Sequence, residues 1–294
     1  MSELVRIPVF YDAAMCASVD SISPSAAKPR AVVASWRALG APIEVIAPIP
    51  VTVEDLRRAH DPDYVDGILR GTQPNGFGTT DAGVAASLPF TSGAMLGAAR
   101  EALRNGRVAV APCSGFHHAH HAHAGGFCTF NGLIVAALAL RAAGDVRRVG
   151  ILDFDQHYGD GTDALIRELD LDWIHHYTAG AEYGDPTQAE EFLARIPALV
   201  AALGDCDVLL YQAGADPHLD DPLGGWLSTE DLAERDRRVF AAAAERGLPI
   251  AWNLAGGYQT PLRKVLDIHD NTLRACIQAH RCGGLRAAAG AARR

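Results

Sequence analysis

Along this chain, short apolar runs alternate with longer stretches in which apolar residues recur every three or four positions. The runs at residues 5–10, 43–47, 107–111, 149–153, 173–175, 208–211 and 249–254 are rich in Val, Ile and Leu and nearly continuous, as expected of strands buried on both faces. Between them, residues 91–105, 134–143, 187–203 and 228–245 carry helical periodicity, the last opened by Ser228 as N-cap with Asp231 three positions on. Alternation of strand and helix with unbroken apolar strands predicts an α/β protein, a parallel sheet covered by helices on both faces. No repeat or linker interrupts the pattern. Residues 1–294 are therefore expected to form a single domain, with the Gly, Ala and Arg-rich end at 283–294 a frayed tail.

The polar residues that break this pattern gather just after the strand candidates, where open α/β sheets place their sites. The run VGILDFDQHYGDG, residues 149–161, ends in Asp153, Asp155, His157 and Asp160. Side chains two apart on an extended segment point the same way, so Asp155 and His157 can meet on one cation with Asp153 on the same face. Asp216, which follows the strand candidate at 208–211, is the third candidate ligand. A mixed oxygen and nitrogen set of three protein ligands suits a catalytic zinc. Its open position holds a water acidified to a pKa of about 7, and a hydrolase is the natural expectation. The segment SGFHHAHHAHAGGFCTFNGL, residues 114–133, adds the adjacent imidazoles His117 and His118, suited to moving protons near neutral pH. In LAGGYQ, residues 254–259, Tyr258 follows two glycines, where a phenol can donate to a polarised carbonyl or oxyanion.

The segments GFHHA, GGFCTFN, LDFDQHYGDG, AGAD with DPLGG, and AGGY, in that order, resemble the zinc-dependent histone deacetylase and acetylpolyamine amidohydrolase superfamily. The likeness runs from about residue 59 to 258, and it includes the spacing of HHA from GF and of Asp216 from Asp221. It implies the arginase and deacetylase fold, a three-layer α/β/α sandwich around an eight-stranded, mostly parallel sheet. It implies Asp155, His157 and Asp216 as zinc (Zn2+) ligands and Tyr258 as the group that polarises the scissile carbonyl. His118, paired with Asp160, becomes general base and acid, and His117, paired with Asp153, acts electrostatically. A carboxylate partner fixes an imidazole's tautomer and raises its basicity. Gly126 and Phe127 become a wall of a narrow substrate channel, Leu223 stands at its mouth, and Asp81 aligns with a rim acid that grips the peptide backbone. A structural potassium ion (K+) is implied near Asp153, Asp155 and the main chain of His157. Two departures bear on the entrance loops and leave the ligands untouched. Tyr158 stands where the family often has His or Gln, and SISPSAAKPR lacks the family's His-Pro pair, although Lys28, Pro29 and Arg30 resemble the residues that come after that pair in the family.

Taken singly, these residues also have plainer uses. His117, His118, His120, His121 and His123 could form a metal-sequestering tract, Asp160 could cap a helix, Asp81 and Asp216 could be turn acids, and Tyr258 could be a packed aromatic. Cys276, His280 and Cys282 match no common zinc module and are assigned to packing, and Cys128 is given no role.

Composition narrows the function further. A net charge of −9 over 294 residues argues against broad nucleic-acid binding and suits cationic substrates, lysine peptides and polyamines alike. No basic stretch precedes an apolar segment at the N-terminus, no apolar run is long enough to span a membrane, and six cysteines lack regular spacing. A cytoplasmic enzyme with reduced thiols and no membrane partner is the expectation. The resemblance implies zinc-dependent removal of an acyl group, most simply acetyl, from the ε-amine of lysine in proteins or peptides. An acetylpolyamine or small-molecule amidohydrolase on the same site is the alternative, and it calls for an acid at the channel mouth. A non-catalytic acyl-lysine or metal binder is a third; loss of Tyr258 or a ligand would favour it, and neither is lost. Acyl length, oligomeric state and zinc versus iron stay open.

Overall fold

The computed structural model describes residues 6–282; Val5 and the expected tail at 283–294 lie outside the described residues. Seven strands form one sheet: β1 (Ile7–Phe10), β2 (Ile43–Ile46), β3 (Val108–Ala111), β4 (Val149–Asp153), β5 (Ile174–Thr178), β6 (Val208–Gly214) and β7 (Ile250–Ala255). Their order is β2-β1-β3-β7-β6-β4-β5, and every pairing is parallel. Each of the seven apolar runs became a strand. The eighth strand implied by the family is not found among the described residues. The sheet stops at β2 and β5, whose Glu44, His175 and His176 leave these strands less buried than the central ones.

Nine helices flank the sheet: α1 (Lys28–Ala38), α2 (Val53–Ala59), α3 (Pro62–Leu69), α4 (Ala82–Asn105), α5 (Gly132–Ala143), α6 (Asp160–Glu168), α7 (Ala189–Ala202), α8 (Thr229–Arg246) and α9 (Arg263–Cys282), counted among the described residues. The predicted start of α8 is observed as a reciprocal cap. Ser228 Oγ accepts from Asp231 N at 3.1 Å, and Asp231 Oδ2 accepts from Ser228 N at 3.0 Å. α4 begins at Ala82 and not at residue 91, because Asp81 caps Val84 N at 2.8 Å and the helix carries Pro89 in its interior, where the sequence suggests a break. By length and composition α4 could cross a bilayer, but 56% of its most apolar window is buried, against α5, β3 and β7.

Alternate strand residues feed two cores. Val108, Val110, Leu209, Tyr211 and Trp252 share one with α1, α7, α8 and α9, whereas Ala109, Ala111, Val208, Leu210 and Ala251 share the other with α2 to α6. This is a three-layer α/β/α arrangement. Because all strands are parallel, their carboxyl ends share one edge of the sheet. The four central strands β3, β7, β6 and β4 lead directly into the segments that carry the candidate chemistry.

One buried histidine ties that edge together. His60, at the end of α2, has Nδ1 2.9 Å from His120 O, and its Nε2 accepts from Asn131 N, the N-cap of α5, at 2.9 Å. A ring that must both donate and accept is neutral, and burial pulls its pKa down to about 4. A depressed value means the stability His60 lends is present above the unfolded value near 6.5 and is lost as pH falls toward 4. The difference in urea-unfolding free energy between wild type and His60→Gln is thus expected to be largest at pH 7.5. It should shrink by on the order of 1 kcal/mol by pH 5.5. A difference that stays constant across that window contradicts the neutral assignment.

Candidate active site

β4 ends at Asp153, and the chain bends through residues 154–159 before α6. Asp155 and His157 therefore meet through a turn and not along an extended strand, as side-chain alternation had predicted. Asp155 Oδ1 accepts from His157 N at 2.9 Å and lies 3.0 Å from His157 Nδ1. Asp216 enters from the loop after the neighbouring strand β6, with Oδ2 3.2 Å from the same nitrogen. Among the described residues, these three form the one group of metal-ligating side chains whose ligand atoms lie within 4.8 Å of each other.

The group has the properties of a cation site. Asp155 and Asp216 are buried side by side, and burial followed by repulsion from Asp155 raises the pKa of Asp216. The two acids raise that of His157, Asp155 first through the hydrogen bond it accepts and then Asp216 through its nearby charge. Two carboxylates in this setting need a countercharge before both can ionise. Asp216 Oδ2 is buried without a hydrogen-bond partner, the imidazole nitrogen beside it being poorly directed. Gly256, at φ 45°, forms a cradle around the carboxylate; a Cβ there would lie 2.0 Å from Asp216 Cγ. An orphaned carboxylate oxygen, a second carboxylate and an imidazole fit a divalent cation that takes nitrogen and oxygen ligands.

The loop after β3 sets His117 and His118 with ring centroids 4.0 Å apart. His117 Nδ1 lies 2.8 Å from Asp153 Oδ2, and Asp153 Oδ1 accepts from Gln212 Nε2 at 2.9 Å and Asp155 N at 3.1 Å. His118 Nδ1 lies 2.6 Å from Asp160 Oδ1. Each acid thereby fixes the Nδ1–H tautomer and leaves Nε2 for the site. Their charges are pushed apart. Burial opposes a cation on His117, yet Asp153 and Asp155 outweigh it and lift the pKa to about 9. Burial, then the neighbouring His117, lowers that of His118. The two neighbouring rings are thus shifted in opposite directions.

Tyr258 follows β7. Burial, with Asp216 and Asp155 adding to it, drives the phenol pKa far above its ordinary value, so the group remains a donor. Phe127 adopts φ 64° and sits 5.7 Å from the Tyr258 ring and 5.9 Å from Phe77. Its neighbour Gly126 packs so tightly on His118 that a Cβ would lie 2.3 Å from the imidazole Cδ2. Gly126, Phe127, His117, Asp155 and Tyr258 line one narrow pocket, with Cys128 and Gln212 among the remaining lining residues.

Several residues depart from their expected places. Asp160 is the first residue of α6 and makes no cap bond; both its oxygens go to imidazoles, the second lying 3.3 Å from His120 Nε2. The histidine tract does not converge either, since His121 Nδ1 lies 2.9 Å from Ala59 O and His123 stacks on His120. Asp81 serves as the α4 cap and is not among the pocket-lining residues. Both oxygens of Asp153 are engaged by protein groups. Cys276 and His280 are buried in α9 as packing. Sequence reasoning used Asp221 only as a spacing mark, yet it accepts from Tyr258 N at 2.8 Å and Leu223 N at 3.0 Å. It also passed over Gln212, a lone amide in an apolar strand, and Lys28, which is buried and donates to Gly256 O.

Comparison with known proteins shows the family and the fold. Residues 25–172 match the histone deacetylase domain family. An uncharacterized protein of Picosynechococcus sp. is 27% identical over 245 residues, which cover 75% of this chain and 80% of that protein. Histone deacetylase 2 of Arabidopsis thaliana is 30% identical over 54% of this chain, and the polyamine deacetylase HDAC10 of Homo sapiens 24% over 70%. The chain spans 47% and 37% of those two proteins. In fold it resembles the HD domain of HDA15 (TM-score 0.75, 18% identity, 94% of this chain and 89% of that one). It also resembles an acetylpolyamine aminohydrolase from Burkholderia pseudomallei (TM-score 0.71, 18% identity, 93% and 99%).

The Gly256 cradle gives a direct test of the cation site. Gly256→Ala forces a methyl group into the Asp216 carboxylate, so zinc affinity measured by chelator competition should fall at least about tenfold, in the range typical of disturbed ligand support. Wild-type affinity in a folded variant would show that the cradle is not part of a metal site.

Proposed function

Because the chain belongs to the histone deacetylase domain family, we propose that it is a zinc-dependent amidohydrolase that removes acyl groups, most simply acetyl, from the ε-amine of lysine. The observation that carries this is the convergence of one acid–imidazole–acid cluster, two carboxylate-paired histidines and a half-buried tyrosine at the ends of four adjacent strands. Asp155, His157 and Asp216 would hold a divalent cation, which would supply Lewis acidity to the amide carbonyl and make water nucleophilic near pH 7.

The remaining steps belong to the chain's own residues. His118 Nε2 takes a proton from the water that attacks the carbonyl carbon. It then gives that proton to the amine nitrogen as the C–N bond breaks, a role worth about 10²- to 10⁴-fold. Asp160 keeps the ring in the tautomer this needs. His117, whose charged form its partner Asp153 favours, offsets the negative charge that builds on the carbonyl oxygen. Tyr258 donates its O–H to the same oxygen, and Asp221 sets the phenol's position through the Tyr258 backbone. Phe127 presents an aromatic wall suited to a hydrocarbon stem.

Leu223 favours an acyl-lysine substrate over a polyamine. It is exposed, and its backbone N–H shares the Asp221 carboxylate with the backbone N–H of Tyr258, so the loop beside the catalytic phenol carries an apolar residue at this position. An apolar rim gives a second ammonium group nothing to pair with, whereas a carboxylate there would add roughly 1.5 to 3 kcal/mol. Peptides bearing acetyl-lysine should accordingly be hydrolysed with higher kcat/KM than acetylspermidine, and Leu223→Glu should move the ratio toward the polyamine by about ten- to a hundredfold. A tenfold or greater preference of the wild type for acetylpolyamines would sink the substrate assignment and leave the hydrolytic chemistry intact. For Tyr258→Phe, kcat should drop about 10²-fold or more with substrate affinity nearly unchanged, because the charge it meets exists only in the transition state. A variant with wild-type kcat would reduce Tyr258 to packing.

A further inference from the structure

Among the buried charged groups that the hydrolytic mechanism leaves unused, one lies directly behind the candidate ligands. Arg235, on α8, is fully buried beneath the ends of β4 and β6. The parallel ladder between those strands runs out at the pair Asp153 and Gln212, with a last bond from Phe154 N to Gln212 O. Just beyond, Arg235 Nη1 donates to Gly214 O at 2.7 Å and to Phe154 O at 3.2 Å, joining the two chains where the sheet no longer does. Phe154 immediately precedes Asp155, and Gly214 stands two residues before Asp216. The corner is tight: a Cβ on Gly214 would lie 2.6 Å from Asp155 Cα.

The guanidinium is itself held in one orientation. Its Nε donates to Asp236 Oδ1 at 2.9 Å, and Asp236 also accepts from the Tyr211 hydroxyl and from Thr272 Oγ1, the latter at 2.6 Å. A buried ion pair of this kind adds little net stability over a hydrocarbon pair of the same shape. With Asp236 neutralising Arg235, the pair also exerts little net field on the acids above it. What remains is geometry, two buried carbonyls fixed by one rigid donor.

We propose that Arg235 is a positioning residue that sets the distance between Asp155 and Asp216, and through it the affinity and geometry of the metal site. The inference rests on the metal-site reading given above. Its test is the dissociation constant for zinc, from chelator competition, together with the visible absorption of the cobalt(II)-substituted protein. Arg235→Lys keeps the charge and most of the stem but has no counterpart to the Nε that Asp236 holds, so its donor to the two carbonyls is no longer fixed in orientation. Zinc binding about ten- to a hundredfold weaker and an altered cobalt spectrum are expected, the range seen when support behind metal ligands is removed. A folded Arg235→Lys with wild-type zinc affinity and cobalt spectrum overturns the proposal, even if its melting temperature falls. Should that variant not fold, Thr272→Val removes one anchor of Asp236 at nearly constant shape. Severalfold weaker zinc binding then supports the role, and unchanged binding overturns it. Wild-type protein that binds no zinc refutes the metal site itself, an outcome distinct from a variant that binds as the wild type does.

Discussion

Two carboxylates buried within reach of one imidazole are the constraint around which this end of the molecule is organised. Repulsion between Asp155 and Asp216 in that setting is relieved by a cation between them. Everything that touches them serves to keep them there. The Gly256 backbone closes over Asp216 with no room for a side chain, Asp153 accepts from the Asp155 backbone, and the Arg235 guanidinium braces both loops from below. Charge balance thus explains why so many polar groups lie at the edge of an otherwise apolar sheet.

The sheet makes that concentration possible in conformational terms. Four parallel central strands deliver four loops to one edge, so residues as far apart in sequence as His117 and Tyr258 meet without a long irregular excursion. The adjacent histidines then divide their labour by environment. One faces two acids, which raise its proton affinity; the other, with one acid partner, is lowered by burial and by its neighbour His117. Two groups of one chemical type with opposed proton affinities suit a reaction in which charge must be both stabilised and moved.

Much of this was legible in the chain. The seven strands are the seven apolar runs, and the candidate ligands and histidines follow them because a polar residue after a buried strand has few other places to be. The turn that unites Asp155 with His157 was not legible, since it replaces strand alternation with a side-chain bond to the backbone that no periodicity encodes. Asp221, Gln212 and Arg235 escaped for a related reason: each acts by bonding backbone or side chains distant in sequence, and only the folded sheet brings those partners within reach. The eighth strand came from resemblance alone, with no apolar run behind it. Asp81, expected at the channel rim, caps α4 through one of its oxygens.

The central claim, that a metal sits between two carboxylates and a single imidazole, is tested most directly by zinc K-edge X-ray absorption on the metal-loaded enzyme. The account predicts a shell of nitrogen and oxygen at about 2.0 to 2.2 Å with the scattering of one imidazole and no sulfur. A shell with two or more imidazoles would put the ion among the histidines of the His117 to His123 loop, and sulfur at about 2.3 Å would put it at a cysteine such as Cys128. Either result would contradict the site described.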